Sequence, residues 1–451
     1  MKYLWLCAIA LLAVSCGGVV PDDPSKFSWT ENNGKDKTEP DSWTSADSKF
    51  DGSAINDITY TGQKFIAVGD NGKLSWAWAA SPGAWTPFPY RLATVDRQIY
   101  PYWYADTLID GTSTVPNNNS TQFLATEAIK AVTFGGNDYL VWVGEGPTND
   151  TGMGCRVMFD LYDLNPANKN VMTPIAVTRL NGNNTYPSTA VGNSRFGRGT
   201  INDITNSGIY FVIVGDDGKM SVSKDTAQNW YPISNVANQF CSSGAALSNT
   251  AADYTEPGYD IYAVTFGGSK FVAAGENGTI SWAIPDATWK QSGTPAATSW
   301  ISNPPSPVWT KADTGAAFGT DTIYALAYSP EGKTFVAAGA GGKIGWSDDG
   351  AVTWTAAGSP FGASAVHALA YGGGKFLAGG EDGKLAWSRD GKTWTMVSAA
   401  PFGANTVKAA SYGLGRFVAA DSSGALAYSN QQEIVDRPYY SITAAAGGEK
   451  E

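Results

Sequence analysis

The chain has 451 residues and a formal charge of −11, with only 16% charged residues. The acidic balance excludes nucleic acid as a general partner, because phosphate binding needs a basic surface. With 52 glycines and 17 tryptophans, the composition excludes a disordered chain and points to turn-rich all-β structure. A single histidine, His367, argues against His-built metal sites, and any Ser-His-Asp mechanism would have to use it.

The N-terminus reads as an export signal. Met1-Lys2 gives a basic start, and residues 3–14 are apolar but too short to span a bilayer comfortably. The run ends in Ala13-Val14-Ser15-Cys16-Gly17-Gly18, which resembles a bacterial lipobox. That resemblance implies a signal peptide over 1–16, lipidation of Cys16, and an exported protein anchored by lipid in the bacterial envelope, at the outer membrane or cell surface. The alternative is an ordinary signal peptide cleaved near Ser15. Residues 17–40, rich in Gly, Pro, Asp, Asn, Lys and Ser, read as a flexible tether. Cys7 leaves with the signal. In an oxidising compartment Cys155 and Cys241 either pair as a disulfide or stand as two unrelated buried thiols.

From 41 to 430 one pattern recurs seven times. Each copy has an alternating strand starting at an apolar residue, near 55, 129, 201, 261, 323, 366 and 407. A Gly-containing turn and a second strand follow, such as Phe65-Ile66-Ala67-Val68-Gly69. A tight turn then leads to a third strand, such as Lys384-Leu385-Ala386-Trp387. Five copies show a fourth strand with Trp: Trp85, Trp230, Trp309 (or Trp289), Trp354 and Trp394. Seven units of short antiparallel strands predict an all-β, seven-bladed β-propeller with four strands per blade. Turns such as Asp70-Asn71-Gly72 and Glu381-Asp382-Gly383 look like calcium loops. They read better as turns, because these residues tolerate positive φ. The seventh copy lacks a fourth strand. Trp43-Thr44-Ser45 followed by Phe50-Asp51-Gly52 matches Trp354-Thr355-Ala356 followed by Phe361-Gly362, so residues 41–46 are expected to close the ring. The rival strand is 438–442, in the C-terminal tail 431–451.

Ser223-Lys224-Asp225, Ser347-Asp348-Asp349-Gly350 with Trp354, and Ser388-Arg389-Asp390-Gly391 with Trp394 resemble the Asp-box, or BNR, repeat of sialidase-like propellers. In that family the box is a structural turn away from the active site. A glycoside hydrolase of the family would need an arginine triad, a Tyr-Glu nucleophile pair and an acid. Only nine arginines exist, and no Arg-Ile-Pro motif follows the first strand. Asp57 and Asp203, in identical Ile-Asn-Asp-Ile-Thr strings, read as blade anchors through local hydrogen bonds rather than as a catalytic pair. No catalytic residue, metal or cofactor is assigned.

Insertions fall after the fourth strand (roughly 87–128, 180–200, 232–260 and 290–322) and within blade two (145–155). By strand parity these loops share one face, where function usually sits. Two features there are candidate binding residues. The first is the aromatic run Tyr100, Tyr102, Trp103 and Tyr104, which can anchor a protein or stack on sugars, or else pin its own loop to the disc. The second is the second position of each innermost strand: Asn56, Lys130, Asn202, Tyr262, Tyr324, His367 and Lys408. It forms a polar ring at the channel mouth, either a ligand site or a solvated rim. The leading reading is a monomeric, lipid-anchored, non-enzymatic binding or scaffold protein for a protein or glycan, comparable with the similar propeller of photosystem assembly factors. A sialidase-like glycosidase is the alternative.

Overall fold

The structure, a computed structural model, describes residues 39–87, 91–95, 98–102, 128–135, 139–145, 153–158, 178–179, 200–223, 231–233, 239–241, 258–285 and 308–431. Residues 1–38, with Cys16 and all of the tether but Glu39 and Pro40, together with Trp103, Tyr104, Trp230 and the tail beyond 431, lie outside the described residues.

The described residues form seven four-stranded antiparallel sheets and one two-stranded sheet. The innermost strands are Ile55–Tyr60, Ile129–Gly135, Ile201–Asn206, Ile261–Gly267, Ile323–Ser329, Val366–Gly372 and Val407–Gly413. Each packs against the next, and Val407–Gly413 packs against Ile55–Tyr60. The fold is a β-propeller of four-stranded antiparallel blades. Second strands such as Lys64–Gly69 and Thr334–Gly339 are buried at every residue. This is why they read as unbroken apolar runs rather than alternating ones. The core is divided among the gaps between neighbouring sheets. Trp85, Phe65 and Val418 pack between sheets seven and one, and Trp354, Phe335 and Val272 pack between sheets four and five.

One local device repeats in all seven sheets. The innermost strand carries a β-bulge, a register shift whose skipped residue is Asn56, Lys130, Asn202, Tyr262, Tyr324, His367 or Lys408. A bulged residue is left out of the ladder and its side chain is re-aimed. The carbonyl just before the strand accepts the first N–H of the turn between strands two and three. The pairs are Ala54 with Asp70 (3.0 Å), Ala128 with Glu145 (3.0 Å), Thr200 with Asp216 (3.1 Å), Asp260 with Glu276 (2.9 Å), Thr322 with Ala340 (2.8 Å), Ala365 with Glu381 (2.9 Å) and Thr406 with Ser422 (2.9 Å). In five sheets the approach is made over a glycine at the end of the second strand. A Cβ on Gly69, Gly144, Gly275, Gly339 or Gly380 would stand 2.0–2.2 Å from that carbonyl oxygen. Sheet seven makes the same bond and the same bulge with Asp421 at this place. The turns themselves put positive φ at two consecutive residues, as in Asn71 (59°) and Gly72 (61°) or Asp382 (57°) and Gly383 (62°). They are turns, as expected, and among the described residues no cluster of three acidic, His or Cys groups could hold a metal.

Trp43–Ala46 pairs antiparallel with Leu426–Ser429, with Trp43 opposite Ser429 and Ala46 opposite Leu426. Trp43 sits with Phe402 and Trp387 in the gap between sheets six and seven, edge-on to Phe402 at 6.5 Å. Its indole N–H donates to the Pro40 carbonyl at 2.7 Å, as Trp85 does to Pro82 (2.8 Å) and Trp394 to Gly391 (3.1 Å). Three residues from indole to acceptor is thus common to these three outer strands. In sheet four it is Trp309, not Trp289, that leads into the outer strand Thr310–Lys311.

Removing residues 17–48 should therefore cost far more stability than removing 17–38. The longer deletion strips a hydrogen-bonded strand and a packed aromatic, so a melting temperature on the order of 5 °C or more below that of the shorter deletion is expected. Equal melting of the two would show that the strand contributes nothing.

Candidate functional site

The turn-to-carbonyl bonds place two kinds of segment on one face: the turns between strands two and three, and the links entering the innermost strands. Lysines reinforce this, with Lys73 donating to the Phe50 carbonyl at 2.5 Å and Lys343 to the Phe318 carbonyl at 2.7 Å. The opposite face carries the Ser-x-Asp turns. There Asp349 Oδ1 accepts from Ser347 Oγ (2.8 Å) and the Val352 and Thr353 amides (3.0 Å each). Asp390 accepts from Ser388 Oγ (3.0 Å) and the Lys392 and Thr393 amides (2.8 Å each). Burial alone would raise the Asp349 carboxyl. The hydrogen bonds from Thr353, Ser347 and Val352 together outweigh it and hold the carboxyl down at about 2. These side chains close local turns.

At the channel mouth the seven bulge residues are all half-buried and bond around the axis. Asn56 donates to Asp70 Oδ1 (2.8 Å) and to the Ile129 carbonyl of the next sheet (2.9 Å). Asn202 repeats this toward Asp216 Oδ1 and the Ile261 carbonyl, both at 3.1 Å. Lys408 reaches Asn56 Oδ1 at 3.4 Å, and Lys130 pairs with Glu145 at 2.8 Å. On sheets four to six the ring is aromatic. Tyr262 meets Tyr324 edge-on at 5.5 Å, and Tyr324 stacks on His367 at 4.6 Å. Burial pushes His367 down, with Lys408 adding to the effect against the opposing Glu381, so the imidazole is neutral at neutral pH.

Sequence reasoning found the ring but missed its acidic collar. The first turn residues Asp70, Glu145, Asp216, Glu276 and Glu381, with Asp260 before the fourth innermost strand, surround the same mouth. In the sequence Asp70, Asp216, Glu276 and Glu381 read as turn residues, Glu145 opens the blade-two insertion, and Asp260 carries no signal of its own. Most also clamp the link: Glu276 accepts the Asp260 amide at 3.1 Å and Glu381 accepts the Ala365 amide at 2.9 Å. The Tyr262 hydroxyl donates to Asp260 Oδ2 at 3.2 Å. Burial raises the Asp260 carboxyl, and neighbouring Asp216 and Glu276 add to this against a hydrogen bond from the Asp217 amide. Burial likewise pushes the Tyr262 hydroxyl up, as do Asp260 and Glu276.

Deeper in, Asp57 and Asp203 each join two sheets. Asp57 accepts the Ile58 amide (2.7 Å) and the Val132 amide of the next sheet (2.8 Å). Asp203 accepts Ile204 and Val264 at 2.7 Å each. All four carboxylate oxygens are thus engaged by the backbone, as the anchoring reading requires. Both side chains keep some surface but lie deep within the protein, so the charge is poorly solvated. Burial lifts Asp57 to about 6 and raises Asp203 well above the usual range, with the Asp57 charge adding to the latter.

Of the other candidates, Tyr100 and Tyr102 lie on Gln98–Tyr102, which pairs with Arg91–Val95. Their side chains are outside the described residues. Cys155 lies on Met153–Met158 and Cys241 bridges to Gly258 through the backbone. The Cys155 side chain is outside the described residues, so the pairing stays open.

No family model matches the chain, and no curated protein matches it. Among solved structures, "YCF48 bound to D1 peptide" is similar over 88% of this chain and 98% of its own, at 15% identity and a TM-score of 0.52. YCF48 from Cyanidioschyzon merolae covers 86% and 98%, at 14% identity and a TM-score of 0.50. At such identity the likeness shows the propeller fold alone.

Because Asp57 is raised in the folded protein, its protonated form stabilises the fold at low pH, and that stability is lost as pH rises through about 6. Urea unfolding from pH 4 to 7.5 should show wild type losing about 3 kcal/mol relative to Asp57→Asn. The variant also forfeits one backbone acceptor, so the slope against pH is the readout, not the absolute stability. Parallel pH curves would contradict the assignment.

Proposed function

We propose that this chain is an exported, non-enzymatic binding or scaffold protein. In this reading the seven sheets are the blades of one ring closed by Trp43–Ala46. Cys16 carries a lipid anchor, and the loop-rich face meets a protein partner. A face carrying both the enlarged links and the polar mouth supports the reading, opposite the face where the chain enters. The third strand of sheet seven starts at its turn beside the mouth and ends at Ser429, and Trp43 pairs with that end. Chain entry is therefore on the Ser-x-Asp face, where Glu39 pairs with Arg389 and, at 3.9 Å, with Lys375. The solved structure of YCF48 with a D1 peptide supports a protein as the partner class. Against a glycosidase stands the lack of arginine among the described residues of the mouth.

The test is detergent partition followed by cross-linking and affinity capture from the native envelope. Wild type should enter the detergent phase and Cys16→Ser the aqueous phase. Trp103→Ala with Tyr104→Ala should cut the captured partner about fivefold or more without lowering the melting temperature. Equal partition would remove the lipid anchor. Absence of any specific partner, together with turnover of chromogenic glycosides, would favour the enzyme.

A further inference from the structure

The mouth is chemically lopsided. Its two lysines stand on sheets seven and two. Lys130 is already paired with Glu145, and Lys408 donates to Asn56. Around the same mouth stand six carboxylates: Asp70, Glu145, Asp216, Asp260, Glu276 and Glu381. On the side of sheets three to five, Asp216, Asp260 and Glu276 gather beside Tyr262. Each accepts backbone or side-chain N–H or O–H donors, but none has a lysine or arginine partner among the described residues. Next to them runs the arc of Tyr262, Tyr324 and the neutral His367. The chain covers other aromatic faces with its own cations, Lys270 over Trp282 at 3.8 Å and Lys392 over Trp346 at 3.7 Å. Among the described residues no cation lies over the rings of this arc.

We propose that this side of the mouth is a site for an organic cation, presented either as an arginine or lysine side chain of a protein partner or as a free polyamine. Aromatic faces attract a cation through their quadrupole, and the attraction grows when the site is partly desolvated. The adjacent carboxylates supply the opposite charge, and one of them, Asp260, is tied by hydrogen bond to the Tyr262 hydroxyl. A guanidinium or ammonium between them would neutralise charge that no described lysine or arginine compensates. The proposal rests on the binding reading above but names the chemistry of what is bound.

Calorimetric titration of the full-length protein with an acetylated, amidated tetra-arginine peptide, and separately with spermidine, tests it at low and physiological ionic strength. Saturable binding to either is expected, weakening with salt. Binding of one probe alone identifies the source of the cation. Asp260→Asn with Glu276→Gln should weaken binding about tenfold or more, as should Tyr324→Leu, while Tyr324→Phe keeps most of the affinity. Glu331→Gln with Asp348→Asn removes the same charge from turns on the opposite face and should change affinity less than about twofold. If the acidic double variant unfolds, the Tyr324 pair carries the comparison alone. No saturable binding of either probe, or equal weakening by the remote variant, would overturn the proposal. Capture of a partner that is indifferent to Tyr324→Leu would sink this inference and leave the binding reading standing.

Discussion

The mouth depends on one close approach. In at least five sheets the carbonyl ahead of the innermost strand lies where a Cβ would otherwise be, against the glycine that ends the second strand. That carbonyl takes the first N–H of the following turn, the strand slips by one residue, and the second residue leaves the ladder. A polar or aromatic side chain is thereby aimed at the axis instead of into the gap between sheets. The first residue of the turn is brought beside it. Bulge residue and acidic collar are two products of one backbone device.

The rest of the electrostatics follows from that placement. Collar carboxylates accept the amides of the links they face, so they hold the entry to each innermost strand while adding negative charge to the mouth. Asp57 and Asp203 do similar work deeper in. They spend their acceptors on the next sheet where the other five positions carry Ala131, Ala263, Ala325, Ala368 and Ala409. The opposite face is built on other terms. There Ser347, Asp349, Ser388 and Asp390 close their own turns, and cations lie on the third-strand tryptophans. The described polar groups of one face close their own turns, and the other face carries the carboxylates and the aromatic arc.

Much of this was legible in the chain. The seven strand starts, the glycine turns and the match of Trp43 to Trp354 follow from repetition, because each unit must solve the same packing problem. The polar second position was visible as Asn56, Lys130, Asn202, Tyr262, Tyr324, His367 and Lys408, since Ile or Val precedes each. The bulge that displays them was not visible, because a one-residue slip leaves the apolar pattern of a short strand nearly unchanged. The acidic collar was hidden for another reason. Asp, Asn and Gly serve turns so well that their charge drew no notice until Asp216, Asp260 and Glu276 were seen side by side from two sheets. Phe318 was overlooked too. Ala317-Phe318-Gly319 belongs to the same match as Phe50-Asp51-Gly52 and Phe361-Gly362, and Phe318 fills the same buried place between sheets.

The close approach can be tested directly through its glycine. A Cβ at position 275 would meet the Asp260 oxygen at 2.0 Å, whereas one at Gly358 would meet nothing within 4 Å. Urea unfolding of Gly275→Ala and Gly358→Ala compares the two sites with the same added methyl. Gly275→Ala should lose about 2 kcal/mol or more, because the link, the bulge and Tyr262 must all shift. Gly358→Ala should stay within about 0.5 kcal/mol of wild type. Equal stability of the two variants would contradict the account, since the Asp260 carbonyl would then have room to move and the bulge of sheet four would not depend on its glycine.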